Sequence, residues 1–368
     1  MRVSSLNCDN LFDRPKVMDP ADWSRGKETL ELQADINGLL EAPDYTDAIK
    51  QQIVVLLNRL GLAKSDEGNA YATLRQDRGH LLTRTAGGPV ITAPGRSAWI
   101  GHVELKTAPT DEIATENTAR VIKDLDADIQ VAVEVEDRMV LREFSDSLLP
   151  KVGGKAYPHL MVLEGNDMRA INVGILLKQG YELVSIVSHV DDVDGEGLVF
   201  SRDCPEYTVR TPGGVEIVVL PNHLKSQGYG SKKANDARRL RQARRVKEIY
   251  ERLRNEGHPN VIVAGDCNDC PDSEALRPLI QETDLKDVSA HEDFQDGGLK
   301  GTYGDCGDKE KFDYVLLSPA LFARVQGGGI YRMGAWGRNG KQWPHYANMA
   351  TAVNAASDHC AIYADLAL

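Results

Sequence analysis

The sequence has no long apolar run that would place it in a membrane. Nowhere in its 368 residues is there a stretch near the roughly 18 consecutive apolar residues that cross a bilayer. The residues from Met1 to Asn7 contain no hydrophobic segment of the kind that a secretion signal carries. We therefore expect a cytoplasmic protein that does not act on membranes.

An excess of basic charge is also lacking. The chain has 43 Lys and Arg against 55 Asp and Glu, for a net charge of −12. This excludes a nucleic-acid coat protein, whose whole surface would be basic. It does not exclude an enzyme that binds phosphate through a local basic patch or a metal ion.

Cysteine is scarce, and the six cysteines are scattered along the chain. Without a secretion signal, we expect reduced thiols rather than a disulfide framework. Cys267 and Cys270 have CxxC spacing, but no second CxxC completes a zinc site, so we interpret them as loop residues.

Composition is typical of a globular protein, with 42% apolar and 27% charged residues, which excludes disordered and fibrous classes. Short apolar runs predict strands at 2–6, 128–134, 171–177, 183–188, 215–220, 261–264, 314–317 and 360–366. Helical spacing predicts helices at about 117–125 and 231–254, and a further helix capped by Thr46. Many short strands with few helices between them favour an α/β sandwich.

Polar side chains recur where the predicted strands begin or end, in six separate loops. Because loops at strand ends are where a rigid scaffold holds catalytic groups, we expect these side chains to form one site. The residues are Asn7, Asp9, Glu134, Asn222, His223, Asp266, Asn268, Asp313, Asp358 and His359.

These motifs, in this order, resemble the endonuclease/exonuclease/phosphatase superfamily, which contains the pancreatic-type deoxyribonuclease. The resemblance is closest to bacterial deoxyribonuclease-like members with Asn-His-Leu-Lys-Ser, here residues 222–226; Gly-Asp-Cys-Asn at 265–268 and Ser-Asp-His at 357–359 also match. It implies a four-layer α/β sandwich, two packed mixed β-sheets flanked by helices, as one catalytic domain over 1–368. Residues 13–111 are a large insertion after the first strand, expected near the active-site mouth.

Glu134 is the first candidate for a metal ligand. A lone carboxylate that closes an apolar strand needs a partner to offset its desolvation, and a hard divalent cation supplies one. The resemblance implies Mg²⁺ (or Mn²⁺) on Glu134, with Asp9 and Asp358 as further ligands and Asn7 close by on the substrate side.

Five further residues carry catalytic roles in the resemblance. Asp313 orients His359, which either takes a proton from the attacking water or binds the scissile phosphate. Asp266 positions or deprotonates that water, and Asn268 binds a phosphate oxygen. His223 protonates the leaving oxygen or stabilises charge on phosphorus.

Substrate contacts are expected from Asn222, which assists His223, and from Arg169, which clamps a phosphate. The predicted 232–254 helix has ten Lys/Arg against three acidic residues. We therefore expect Lys225, Lys232 and Lys233 to attract a polyanion, although a basic helix face is also typical of simple solvation.

The sequence favours a Mg²⁺-dependent phosphodiesterase, specifically a nuclease such as an endonuclease, that attacks DNA or RNA with activated water. One alternative is a phosphomonoesterase for inositol phosphates or nucleotides. The other is an inactive binding protein on the same fold. The expected partner is nucleic acid or another phosphodiester.

Overall fold

The computed structural model describes residues 1–11, 16–18, 23–107, 111–167, 169–228 and 231–368. The chain divides into two compact units, Met1–Phe12 with Thr110–Leu368 and, separately, Asp13–Pro109. The second unit spans nearly the same residues as the expected 13–111 insertion, whose first residue, Asp13, lies outside the described residues. Its location near the active-site mouth stays a prediction.

The helices of the described ranges are numbered in chain order. They are α1 (Trp23–Leu40), α2 (Asp47–Arg59), α3 (Glu112–Leu125), α4 (Arg138–Glu143), α5 (Leu149–Lys151), α6 (Lys232–Asn255), α7 (Arg277–Ile280) and α8 (Pro319–Phe322). Within these ranges, no helix combines the length and the apolar character needed to traverse a bilayer.

Strands are more numerous and mostly short. They are β1 (Arg2–Leu11), β2 (Ala72–Arg78), β3 (Leu82–Thr85), β4 (Gly88–Ile91), β5 (Ile100–Leu105), β6 (Ile129–Val135), β7 (His159–Leu163), β8 (Asn172–Leu177), β9 (Glu182–Val187), β10 (Val193–Asp194), β11 (Gly197–Leu198), β12 (Glu206–Arg210), β13 (Glu216–His223), β14 (Val261–Asp266), β15 (Lys286–Asp287), β16 (Phe294–Gln295), β17 (Asp313–Leu317), β18 (Val325–Tyr331) and β19 (Ala361–Leu366).

Two mixed sheets form the larger unit. The first sheet has the order β16-β18-β19-β1-β6-β8-β7, and the second has the order β15-β17-β14-β13-β12-β9. In the first sheet β1 is parallel to β6 and antiparallel to β19. In the second, β13 is parallel to β14, which is antiparallel to β17.

Alternate residues of the central strands pack between the two sheets. One buried cluster joins Val131 and Val133 of the first sheet to Val219, Ile262 and others of the second. Full burial of one such side chain contributes about 1.5–3 kcal/mol, so this interior is the main source of stability. The same alternation fixes which residues beyond the apolar part of each strand face the space between the sheets.

Helices cover the outer face of each sheet. On the first sheet, a second cluster includes Val121, Ile122 and Leu125 of α3. On the second sheet, α6 buries Val246 and Ile249 together with neighbouring apolar residues. The sequence-based prediction of a four-layer sandwich is therefore confirmed.

The smaller unit contains α1, α2 and the strands β2 to β5. Thr46 caps α2 as predicted, because its hydroxyl accepts a hydrogen bond from the backbone N–H of Ile49 at 3.3 Å. Trp99 is fully buried and donates its indole N–H to the Tyr45 hydroxyl at 2.8 Å. The helix α1 was not predicted, since two glycines, Gly26 and Gly38, weaken its helical signal.

Candidate active site

Three of the expected site residues lie side by side at one end of the second sheet. The strand register pairs His223 of β13 with Asp266 of β14, and Asp266 with Asp313 of β17. Each of them lies an even number of residues from an inward-facing apolar residue of its own strand, so its side chain points into the space between the sheets. They are nearly or fully buried.

The first sheet supplies Asn7 and Glu134 opposite them. Asn7 is an inward-facing residue of β1, whereas simple alternation along β6 would turn Glu134 outward. The β6 register shifts between Val133 and Val135, and Glu134 has a positive φ of 61°. This β-bulge re-aims the Glu134 carboxylate toward the second sheet.

The strand predicted at 2–6 is longer in the structure, because β1 continues through the polar residues 7–10 to Leu11. The register with β6 is irregular between Asn7 and Leu11, and Asp9 has a φ of 47°. The backbone N–H of Asp9 donates to Asn7 Oδ1 at 3.2 Å, which orients the Asn7 amide. The polar residues after Leu6 thus lie at an irregularity within a strand.

The Asn7 amide joins the two sheets. Its Nδ2 donates to Glu134 Oε1 at 3.1 Å and to Asp266 Oδ2 at 3.2 Å. His223 Nε2 lies 3.7 Å from each of the same two oxygens. Glu134 Oε1 and Asp266 Oδ2 are therefore both close to the Asn7 amide and to the His223 imidazole.

His359 is held against the same group by Asp313. Its Nδ1 lies 2.8 Å from Asp313 Oδ2, and its Nε2 lies 3.8 Å from Asp266 Oδ2 and 4.0 Å from Asp358 Oδ1. Because Nδ1 is engaged by a buried carboxylate, Nε2 is the nitrogen that faces the cleft. This is the geometry that the sequence predicts for Asp313 and His359.

Asn268 folds back on Asp266 in a tight turn. Its backbone N–H donates to Asp266 Oδ1 at 2.8 Å, and its Nδ2 donates to Oδ2 at 3.0 Å. Asn268 has a φ of 55°, a conformation that asparagine tolerates better than most residues. The Asp266 carboxylate is thereby fixed in one orientation.

Burial and neighbouring charges shift the titration of these groups in opposite directions. Desolvation raises the pKa of Asp266 to about 7, and desolvation with the nearby Asp9 raises the pKa of Glu134. Desolvation and the charge of Arg202 hold the pKa of His223 well below its ordinary value. Desolvation opposes ionisation of His359 too, but Asp313 and Asp266 overcome it and raise its pKa well above the usual range.

The donor set fits a hard divalent cation. Glu134 Oε1 and Asp266 Oδ2 both lie beside the Asn7 amide, and carboxylate oxygens are the ligands that Mg²⁺ prefers. Ligand atoms of Asp266, Asp313 and His359 also lie within 4.8 Å of one another. Since Asp313 is engaged in orienting His359, we regard Glu134 and Asp266 as the better ligands. Asp358 is half-exposed at the edge of this group.

Arg169 is part of a buried ion-pair group that the sequence did not reveal. Asp167 accepts two hydrogen bonds from the Arg169 guanidinium, from Nε at 3.0 Å and Nη2 at 2.7 Å, and Arg202 Nη2 lies 3.0 Å from the same carboxylate. Arg202 is almost fully buried, and its Nε has no hydrogen-bond partner among the described residues. In the sequence, only its position shortly after the apolar pair Val199-Phe200 could have indicated that Arg202 is buried.

Lys225 lies near these arginines. Desolvation, with the charges of Arg202 and Arg169, lowers its pKa to about 7. Its Nζ donates to the backbone oxygen of Ser226 at 3.1 Å. Lys225 and the two arginines of the Asp167 group therefore bring three basic side chains to this part of the site.

The basic face of α6 is largely paired within the protein. Arg239 is buried and bonds Asp269 and Asp236, and Arg241 pairs with Asp194. Lys232 is highly exposed and lies 2.6 Å from Asp236. Lys233 is exposed in the same first turn.

Asn222 is not brought to His223. Successive residues of β13 face opposite sides of the sheet, and Asn222 donates to the backbone oxygen of Leu220 at 3.0 Å. It supports the strand end instead of the imidazole.

Tyr303 is a further residue of the site that the sequence did not reveal. Its ring centroid lies 4.8 Å from that of His359.

Comparison with solved structures supports the same architecture. A mannosyl-6-phosphatase from Bacteroides thetaiotaomicron is 17% identical, with a TM-score of 0.51 over 69% of this chain and 91% of that chain. An endonuclease/exonuclease/phosphatase from Bacteroides vulgatus is 17% identical, with a TM-score of 0.50 over 70% and 91%. At these identities the similarity shows a shared fold. No curated protein matches the sequence.

The model of the Endonuclease/Exonuclease/phosphatase family matches residues 107–331, which is more than half of the chain. The matched segment contains Glu134, His223, Asp266 and Asp313. The chain therefore belongs to the endonuclease/exonuclease/phosphatase family.

Proposed function

We propose that this protein is a Mg²⁺-dependent phosphodiesterase that cleaves nucleic acid, with DNA or RNA as its polymeric partner. The observation that carries this proposal is that His359, held by Asp313, lies next to Asp266 Oδ2. Asn7 and Asn268 both donate hydrogen bonds to the same oxygen. A positioned acid–base set beside a carboxylate pair is the arrangement that hydrolysis of a phosphoester by water requires.

The proton-transfer roles follow from the pKa directions. Desolvation raises the pKa of Asp266 to about 7, and a cation held beside it would keep the carboxylate ionised, so that it orients the attacking water. His359 is held in its protonated form by Asp313, so its Nε2 donates to a phosphate oxygen and offsets negative charge as the bond to phosphorus forms.

His223 has a different role from that of His359. Its burial keeps the imidazole neutral, and its Nε2, which faces two carboxylates, is the nitrogen that carries the proton. It therefore acts as a hydrogen-bond donor to the phosphate and not as the acid that protonates the leaving oxygen. Of the two roles considered for His223, this favours charge stabilisation.

Glu134 and Asp266 would hold the divalent cation, with Asn7 fixing the separation of their oxygens. When bound, the cation supplies Lewis-acid stabilisation of charge on the phosphate. After desolvation, the charge of Asp9 raises the pKa of Glu134, which supports Asp9 as a neighbour of the cation.

A polyanionic substrate is supported by the positive charge beside this centre. Arg169 and Arg202 share the single Asp167 carboxylate, and Lys225 lies close enough to have its pKa lowered by both arginines. Basic side chains therefore cluster beside the proposed centre, in a chain whose net charge is −12. Such a patch attracts phosphates near the scissile one.

The primary test is hydrolysis of bis-p-nitrophenyl phosphate with Mg²⁺ or Mn²⁺. We expect turnover that a chelator abolishes and that His359→Ala reduces by at least about 10²-fold. The matched control is His258→Ala, in the loop after α6, which should retain wild-type turnover. Absence of metal-dependent turnover on any phosphoester would contradict the proposal.

The substrate is tested with closed circular plasmid, single-stranded DNA, RNA and a panel of phosphomonoesters. We expect nicking of the plasmid or cleavage of RNA, without release of inorganic phosphate from the monoesters. Release of phosphate without chain cleavage would instead establish a phosphomonoesterase.

The exposed first turn of α6 is tested separately. The double variant Lys232→Ala/Lys233→Ala should weaken polynucleotide cleavage more at low salt than at high salt, and spare the small diester. Lys247→Ala is the matched control, because Lys247 pairs with Glu251 further along the same helix. Equal loss on both substrates would assign the two lysines a structural role.

A further inference from the structure

Two cysteines distant in sequence face each other beside the proposed active site. The Sγ atoms of Cys306 and Cys360 lie 3.5 Å apart, although 54 residues separate them. Both side chains are buried, and both are free thiols. A disulfide brings two Sγ atoms to about 2.0 Å, so a displacement of only about 1.5 Å separates this contact from a covalent bond.

The CxxC motif, by contrast, does not form such a pair. Cys267 packs in the core beneath α6, and Cys270 Sγ lies 3.8 Å from Asp269 Oδ1. The two thiols close enough to react with each other, those of Cys306 and Cys360, therefore lie outside the CxxC motif.

The cysteine pair joins two segments that carry the site. Cys360 directly follows His359, and Cys306 ends the 301–306 loop. Backbone hydrogen bonds already link the segments, from Cys360 N–H to Thr302 O at 2.6 Å and from Gly304 N–H to Asp358 O at 2.9 Å. In addition, Tyr303 of the loop forms a β-bridge with His359 and places its ring 4.8 Å from the imidazole.

We propose that Cys306 and Cys360 form a reversible disulfide that ties the 301–306 loop to the His359 segment and slows turnover. The effect on turnover rests on the proposed function, whereas formation of the bond does not. Closing the sulfur gap draws the chain next to His359 toward the loop. Because displacement of a catalytic group by about 1 Å can cost up to about 10²-fold in rate, we expect a loss of about tenfold or more.

The oxidant is a peroxide. One thiol loses a proton, and its sulfur attacks a peroxide oxygen, which gives a sulfenic acid and water when the oxidant is hydrogen peroxide. The second thiol then attacks the sulfenic sulfur, and hydroxide leaves as a second water. Two thiols are oxidised to one disulfide while one hydrogen peroxide is reduced to two waters. The neighbours Gly304 and Asp305 are partly exposed, so a small opening of the loop admits an oxidant of this size.

The bond is tested without reference to activity. The full chain is treated with hydrogen peroxide, free thiols are alkylated, and peptides are mapped by mass spectrometry before and after dithiothreitol. We expect a Cys306–Cys360 cross-link in the wild type and in the matched control Cys270→Ser, and none in Cys306→Ser or Cys306→Ala. A Tm higher by about 5 °C in the oxidised protein is also expected. Failure to detect this link, or preferential linkage of other cysteines, would overturn the proposal.

Turnover of bis-p-nitrophenyl phosphate is then measured for the oxidised and reduced forms. We expect the oxidised wild type and Cys270→Ser to lose about tenfold or more, with recovery in dithiothreitol, while Cys306→Ser and Cys306→Ala keep their turnover after peroxide. Unchanged turnover in cross-linked protein, or an equal loss in the Cys306 variants, would overturn the switching role. If reduced wild-type protein hydrolyses no phosphoester, the proposed function fails and the cross-link is still decided by the peptide map.

Discussion

Replacement of Asp313 by Asn removes the charge that holds His359 protonated while keeping the shape of the side chain. Asp313 is fully buried, and its Oδ2 lies 2.8 Å from His359 Nδ1. An amide in its place presents either an uncharged oxygen or an N–H that opposes the Nδ1 proton. We therefore expect the imidazole to lose both its charge and its fixed orientation.

The size of the effect follows from the electrostatics. Unit charges about 4 Å apart interact by about 4 kcal/mol at an effective dielectric constant near 20. If His359 carries its charge in the transition state, loss of this interaction lowers kcat by about 10³-fold, since about 1.4 kcal/mol corresponds to a factor of ten. The alkaline limb of the rate profile should also move to lower pH, because His359 loses its proton more readily without Asp313.

The assay is hydrolysis of bis-p-nitrophenyl phosphate with saturating Mg²⁺ across a pH series. Asp365→Asn is the control, since Asp365 pairs with Arg2 at 2.7 Å on β19 of the first sheet. This control should lower Tm and leave kcat within about twofold. Retention of more than about a tenth of wild-type kcat by a folded Asp313→Asn protein would refute the role given to the Asp313–His359 pair.

Three further predictions concern the metal, the fold and pH. Glu134→Gln should raise the Mg²⁺ concentration for half-maximal turnover by about tenfold or more in a metal titration, and an unchanged midpoint would exclude Glu134 as a ligand. Gly265→Ala should lower the free energy of unfolding in denaturant by about 3 kcal/mol, because φ is +143° and a Cβ would lie 1.9 Å from a backbone oxygen. Burial opposes ionisation of His189, but Glu206 and Asp192 raise its pKa above 6.5, so its contribution to stability is present below that pH and is lost as pH rises through the folded-state pKa. His189→Asn should therefore lower Tm more at pH 6 than at pH 9, and equal losses would contradict this.

The central strands and the catalytic groups on them were predictable from the sequence. Strands such as β14 are buried on both faces, so they read as continuous apolar runs, and the polar residue that ends each run is conspicuous. Asp266 and Glu134 were identified in this way. The residues after Asn7 are polar, and their sequence alone did not indicate that the strand continues. The pairing of β1 with β6 decided the local structure there.

Other parts depend on contacts that no local pattern reports. The strand β12 was not predicted, although it pairs with both β9 and β13 in the second sheet. The pairing of Arg202 with Asp167 joins residues 35 positions apart by sequence number and becomes visible only once the chain is folded. The orientation of Asn222 away from His223 likewise follows from strand alternation and could not be deduced from their adjacency.

The Asn7 amide limits which interior substitutions this protein can accept without loss of turnover. Because one side chain spans from Glu134 on one sheet to Asp266 on the other, the separation of the two layers sets the spacing of the reacting groups. A variant such as Val219→Ala, which leaves a void in the interior between the layers, should depress catalysis at temperatures where the chain is still fully folded. Selection for turnover would then preserve interior residues that lie far from any substrate.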